Sequence, residues 1–306
     1  MLTKHLLNYT RFIFFLVIVS AAGKVFSETQ SEKNTVNFLE INKYANFSSI
    51  AYQSAPKIRE LDALKNYTIT HYSNIPEIEI AYFLSTNEIT KDQVIAVRGT
   101  SNVENAVVDV ALQLTQDMRA GVRLHNGFSQ AAQAIYAEIE PMIKEGYVIS
   151  TTGHSLGGAV ALILAMYLDV DGFKIGQVIT FGQPKVTNVA GANKFEHLNI
   201  IRVVTPKDLV PLVPPFDPVD FNNLDIYWHP GKEVILLPGI DYAVLQGMSS
   251  MMRAIKFTQE PLNESNLINH HMDLYLDMVA KKIPSARLVS FKNSFNLFNW
   301  FGSDEK

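Results

Sequence analysis

The chain has 306 residues, 47% of them hydrophobic and 18% charged, with a formal charge of −4. That is chain enough for one large core or two modest ones, and it is too apolar for a disordered tail. The absence of cysteine excludes thiolate zinc sites, iron–sulfur clusters, a cysteine nucleophile and any disulfide framework, and no Lys/Arg run is present to neutralise a nucleic-acid backbone.

Lys4 and Arg11 carry the charge of the first segment, and no acid appears before Glu28. Phe12 to Gly23 is then an uncharged, mostly apolar run with small residues at Ala22, Gly23 and Ser27. A basic start, an apolar middle and a small-residue exit predict a signal peptide over 1–27, and secretion or export to a periplasm. The apolar run is shorter than the ~18 residues of a spanning helix, so an uncleaved membrane anchor is the lesser alternative. Residues 28–306 are expected to form one domain.

Along that domain, Val36 to Tyr52 predicts a helix. Ile78–Leu84 and Val94–Val97 are short, β-branched and bounded by turn residues, so they read as strands. Ala131, Ala134, Ile135, Ile139 and Ile143 make a helical stripe over Phe128–Ile143. A strand follows at Tyr147–Thr151, a nearly all-apolar helix at Leu156–Leu168, and strands at Gln177–Phe181 and Ile200–Val204. Ile226–Trp228 and Val234–Leu237 read as a strand pair around His229. His270 and His271 open an amphipathic helix through Met272, Leu276 and Val279. Helices between short buried strands predict an α/β fold, with a mostly parallel central sheet covered by helices on both faces.

Chemistry concentrates after the strand at Tyr147–Thr151. Gly153-His154-Ser155-Leu156-Gly157-Gly158 fits G-x-S-x-G, in which a serine sits on a tight strand-to-helix turn and glycines let the turn close. The following helix aims its first N–H groups at a developing oxyanion. A serine nucleophile of this kind needs an acid and then a histidine later in the chain. Asp208 lies just past the strand Ile200–Val204, on the same sheet edge as the serine turn; Asp217, Asp220 and Asp225 lack a preceding strand. His270, His271 and His229 are the candidate bases.

These segments resemble the class 3 lipases, the fungal-lipase-like branch of the α/β hydrolases, across roughly Ile95 to Leu276. Ala96-Val97-Arg98-Gly99-Thr100 is similar to the family's F-R-G-T/S strand end, and His125-Asn126-Gly127-Phe128 to its H-x-G-F helix start. Gly153 to Gly158 matches G-H-S-L-G-G. Thr180-Phe181-Gly182-Gln183-Pro184-Lys185-Val186 resembles t-F-G-x-P-r-V, and Arg202-Val203-Val204 with Asp208-Leu209-Val210-Pro211 resembles R-v-v…D-x-V-P. His270-His271-Met272-Asp273-Leu274-Tyr275 fits the form H-S/R-M-x-x-Y. Where relatives often carry a lid tryptophan, this chain has Ala106.

The resemblance implies an α/β-hydrolase fold and a Ser155–Asp208–His270 triad, with Thr100 and Leu156 as the oxyanion hole and neither metal nor cofactor. It implies acyl transfer on carboxylic esters of lipids, as a triacylglycerol lipase or carboxylesterase, with a lipid or ester substrate met at a lipid–water interface and no nucleic-acid partner. A phospholipase A-type enzyme, a soluble-ester (for example hydroxycinnamoyl) esterase and a non-catalytic lipid- or partner-binding relative are the alternatives. Val103, Val107, Val110 and Leu114 share a helical face, as a short lid over Val103–Leu114 would. Met248, Met251 and Met252 are flexible side chains suited to an acyl chain, or to core packing. Phe291, Phe295, Phe298, Trp300 and Phe301 are suited to an interface, or to a helix packed back on the domain.

Overall fold

The computed structural model describes residues 36–59, 66–100, 113–214, 226–257 and 268–291. The chain divides into two units, Met1–Asn37 and Phe38–Lys306, and every described helix and strand belongs to the second. The expected signal peptide, the body of the expected lid, Asp217, Asp220, Asp225 and the aromatic positions after Phe291 lie outside the described residues.

The second unit opens with α1 (Phe38–Ile50), which buries Phe38, Ile41, Ala45 and Ser48 at helical spacing, and a short α2 (Ala55–Arg59). Strands β1 (Thr68–Ile75), β2 (Ile80–Asn87) and β3 (Asp92–Val97) form an antiparallel meander. β1 was not expected from the sequence. It is an edge strand, half-buried or exposed throughout, and its polar sequence carries no apolar run. Two short strands follow, β4 (Leu114–Asp117) and β5 (Val122–His125), then α3 (Asn126–Ile139). Leu114, expected as the last lid-helix position, opens β4 instead. The stripe expected to run to Ile143 stops at Ile139, where Pro141 lacks the N–H to continue the ladder and the chain tightens into a 3₁₀ turn, Glu140–Met142.

β6 (Val148–His154), α4 (Leu156–Val170), β7 (Ile175–Phe181), β8 (Thr187–Asn188), α5 (Val189–Lys194) and β9 (Asn199–Val204) come next. They are followed by β10 (Tyr227–Trp228), β11 (Lys232–Leu236), β12 (Asp241–Gln246), α6 (Met248–Phe257), α7 (Met272–Ala280) and β13 (Arg287–Leu288). The nine-stranded main sheet has the order β1-β2-β3-β6-β7-β9-β11-β12-β13, and β3, β6, β7, β9 and β11 run parallel. The expected pairing of Ile226–Trp228 with Val234–Leu237 does not occur. β10 pairs with β8 in a small second sheet, β10-β8-β5-β4, while β11 enters the main sheet between β9 and β12.

The parallel strands are buried on both faces, so their alternate residues feed two layers. Ile149 on β6 joins the core under α4 and α3. Thr152 faces the other way and shares a 2.8 Å hydrogen bond with Ser48 of α1. α4 is buried from Gly157 to Leu168 between sheet and α3, which is why its sequence is apolar all round. These layers bring the carboxyl ends of β3, β6, β7 and β9 to one edge.

Candidate active site

At that edge β6 turns into α4 through Ser155, held at φ 59°, ψ −132°. Positive φ is strained for a residue with a side chain, at a cost of about 1–3 kcal/mol. The turn is fixed from both sides. The Ser155 N–H donates to the Phe181 carbonyl at 2.9 Å. A Cβ at Gly153 would stand 2.4 Å from the Gly157 oxygen, and one at Gly157 2.3 Å from the Val97 oxygen. Only glycine fits at either position, so the first and last glycines of G-x-S-x-G are there for close backbone approach. The Gly157 contact also presses the start of α4, and hence the Leu156 N–H, against the end of β3. Thr100 lies three residues past that end, and a Cβ on its neighbour Gly99 would lie 3.2 Å from the Ser155 Cβ.

Asp208 lies in the turn after β9, wholly buried. Its Oδ1 accepts from the Val210 N–H at 2.9 Å, and its Oδ2 accepts from His270 Nδ1 at 2.8 Å and from the Tyr275 hydroxyl at 2.5 Å. Burial and the adjacent carboxylate hold the Tyr275 phenol well above its usual range, so it remains a donor. His270 is 1% exposed, and its Nε2 is buried without a hydrogen-bond partner among the described residues. An imidazole that gives its Nδ1 hydrogen to a carboxylate keeps its Nε2 lone pair for a proton. Its ring lies 4.5 Å, centroid to centroid, from that of His154, the residue before Ser155.

The structure thus brings Ser155, Asp208, His270, Leu156 and Thr100 to one sheet edge. Among the described residues, neither other candidate histidine is bonded to Asp208, which His270 holds. His271 is exposed at the start of α7. His229 contacts the Pro211 carbonyl through Nε2 at 2.6 Å, and burial beside Arg202 and Lys185 depresses its pKa well below the usual imidazole range.

The Asp208 loop is supported from beneath. Lys185, 1% exposed, donates from Nζ to the carbonyls of Leu212 at 2.7 Å and Pro214 at 2.6 Å. Burial, reinforced by Arg202, pushes its ammonium down to about 7. Met251 and the half-buried Met248 pack against Leu209, Leu212 and Val213, so these methionines are absorbed in holding the loop. Among the described residues no group of three or more His, Cys, Asp or Glu side chains is placed to hold a metal ion.

Sequence reasoning assigned no role to Tyr52, His154, Gly182 or Tyr275. Tyr52 donates or accepts at His154 Nδ1, 2.8 Å away. Gly182, at φ +57°, leaves space that a Cβ would take 2.8 Å from His270 Cε1 and 2.9 Å from Asp208 Oδ2. His154, Gly182 and Tyr275 did stand inside motifs of the resemblance, which was the available signal; Tyr52 did not.

Residues 94–217 match the family Lipase (class 3). A secreted mono- and diacylglycerol lipase 1 of Fusarium solani is 35% identical over 145 residues, 44% of this chain and 43% of that protein. A lipase of Rhizopus niveus is 28% identical over 235 residues, 70% of this chain and 57% of the relative. The chain therefore spans about half the length of these curated relatives. The solved structure of non-glycosylated LIP2 lipase from Yarrowia lipolytica superposes with a TM-score of 0.56 at 25% identity, covering 69% of this chain and 84% of that one. Lipases of the α/β-hydrolase fold thus share its architecture, and its ordered motifs between residues 94 and 217 are similar to those of the class 3 lipase family.

Proposed function

We propose that the protein is a serine hydrolase of carboxylic esters in lipids, acting as a lipase through an acyl-enzyme. The observation that carries this reading is the buried Asp208–His270 pair, with an open Nε2, beside a serine held at positive φ. Ser155 Oγ attacks the ester carbonyl as His270 Nε2 takes its proton. Asp208 keeps the imidazole in the required tautomer and stabilises the imidazolium. The Leu156 N–H, at the positive end of α4, and Thr100 receive the oxyanion. His270 returns the proton to the departing alcohol; water then repeats the sequence on the acyl-enzyme.

Acylglycerols are the proposed substrate class. The Fusarium solani relative is named for mono- and diacylglycerols, and no step requires a metal or an organic cofactor. Export follows from the same reading, with 1–27 as a cleaved signal. No helix among the described residues is long and apolar enough to cross a membrane.

The test is hydrolysis of a p-nitrophenyl ester chain-length series, emulsified mono-, di- and triacylglycerols and a phospholipid, with Ser155→Ala as control. The reading expects acylglycerol turnover that Ser155→Ala cuts about 10⁶-fold. Turnover of phospholipid alone, or of short soluble esters alone, replaces the substrate class. Near-normal activity in Ser155→Ala overturns the hydrolase reading.

A further inference from the structure

His154 stands between the serine and the base and has a bonding pattern of its own. Its Nε2 is 2.6 Å from the backbone carbonyl of His270. A carbonyl only accepts, so the hydrogen is on Nε2. The uncharged ring then accepts at Nδ1, and the donor is the Tyr52 hydroxyl at 2.8 Å. The Tyr52 oxygen in turn hydrogen-bonds the Gly99 backbone, whose N–H is its only possible donor there. One ring thereby joins the turn carrying the nucleophile, the chain carrying the base, and the strand end leading to Thr100.

We propose that His154 is a positioning residue for His270: through its Nε2–H it holds the His270 carbonyl, and with its ring it holds the face of the His270 imidazole, while Tyr52 locks the tautomer that does so. This rests on the acyl-transfer reading above, since it concerns the base of that reaction. His154 is 3% exposed, and the two rings lie 34° apart in plane at 4.5 Å. His154 is peptide-bonded to Ser155, so a tether from it to the base limits how far nucleophile and base can drift apart. Misplacement by about 1 Å costs on the order of 10²-fold in rate. The ring must also stay uncharged, because a cation there would oppose imidazolium formation on His270. Burial, and then the His270 imidazole, keep His154 well below the usual imidazole range. Around it stand Tyr52 after α1, His270 and His271 before α7, and Tyr275 within α7, and among the described residues no carboxylate is bonded to the ring.

The experiment compares His154→Phe, His154→Gln and wild type on a p-nitrophenyl ester, with melting temperatures alongside. His154→Phe keeps a ring and loses both hydrogen bonds. Its kcat should fall about 10²-fold with KM within about threefold of wild type. His154→Gln retains a side-chain N–H for the same carbonyl, and should recover at least about tenfold of that loss. Full activity in His154→Phe, or equal losses in both variants, overturns the proposal while leaving the hydrolase reading intact. A wild type inactive on every ester overturns the hydrolase reading itself. A second measurement reads the wild-type ring directly. Histidine ¹⁵N spectra, assigned by the signal missing in His154→Gln or by selective labelling, should show a neutral Nε2–H ring that does not titrate between about pH 5.5 and 8, a window around the free imidazole value. A titrating ring or the Nδ1–H tautomer overturns the proposal.

Discussion

Tyr275 and His270 converge on one oxygen of Asp208, with the tyrosine hydroxyl at 2.5 Å and the imidazole Nδ1 at 2.8 Å. The carboxylate is wholly buried, so these donors and the Val210 N–H replace its water. Hydrogen bonds to a buried charge contribute roughly 1.5–3 kcal/mol each. Tyr275→Phe should therefore lower stability by about 2 kcal/mol in urea unfolding and reduce kcat about tenfold, because Asp208 retains His270 as a partner. Unchanged stability and rate would mean that the phenol is incidental.

The two adjacent histidines should separate sharply. His270→Ala removes the imidazole bonded to Asp208 and should approach the loss seen in Ser155→Ala. His271→Ala removes an exposed ring with no cap bond, and should leave kcat within about threefold and stability within about 0.5 kcal/mol. Steady-state rates on a single soluble ester decide it; the reverse ranking would move the base to His271.

Gly182→Ala is the smallest change that should disable the site. Its φ of +57° disfavours any side chain, and the added methyl would press on both His270 Cε1 and Asp208 Oδ2. We expect a loss of at least about 10²-fold in kcat/KM from the displaced imidazole. Activity close to wild type would show that the Asp208–His270 contact tolerates displacement.

Stability should rise with pH from about 5.5 to 9. His154 and His229 have depressed values when folded. Below the free imidazole value of about 6.5 the unfolded chain therefore binds protons the native chain does not, and stability is lost as pH falls through that range. Lys185 is lowered to about 7 and the buried Lys282 to about 8. Above those values the native lysines release protons that the unfolded chain keeps up to about 10.4, so stability climbs with alkalinity. Unfolding free energies at pH 5.5, 7 and 9 should increase by at least about 1 kcal/mol over the series. His229→Gln should flatten the acid limb; a flat or falling wild-type series contradicts the assignment.

The sequence was most informative where chemistry is local in the chain. The serine turn is legible because its glycines fall within five consecutive positions: Gly153 is forced by Gly157 inside the turn, although Gly157 is itself forced by Val97 on β3. Asp208 is legible because it directly follows a β-branched strand. Tyr52 meets His154 across 102 positions and Tyr275 meets Asp208 across 67, so neither pairing leaves a local periodicity to read. Sheet membership fails for the same reason. Tyr227–Trp228 is too short to show which sheet it joins, and β1 is an edge whose pairing is made by its backbone rather than by an apolar face. The methionines of α6 have the composition of a ligand surface, yet Met248 and Met251 meet the Asp208 loop, an outcome set by long-range packing.

The parallel strands deliver every proposed reacting group to their carboxyl ends, which leaves the opposite rim of the sheet without chemistry. Gly146 and Gly172 sit on that rim, just before β6 and β7, each at positive φ with no atom within 4 Å of where a side chain would begin. A side chain at either would meet no neighbour and would cost only the strain of its positive φ, so each can carry an engineered attachment point on the far side of the sheet from Ser155. An enzyme anchored there to a bead or electrode would present its mouth outward, toward an oil droplet, rather than against the support.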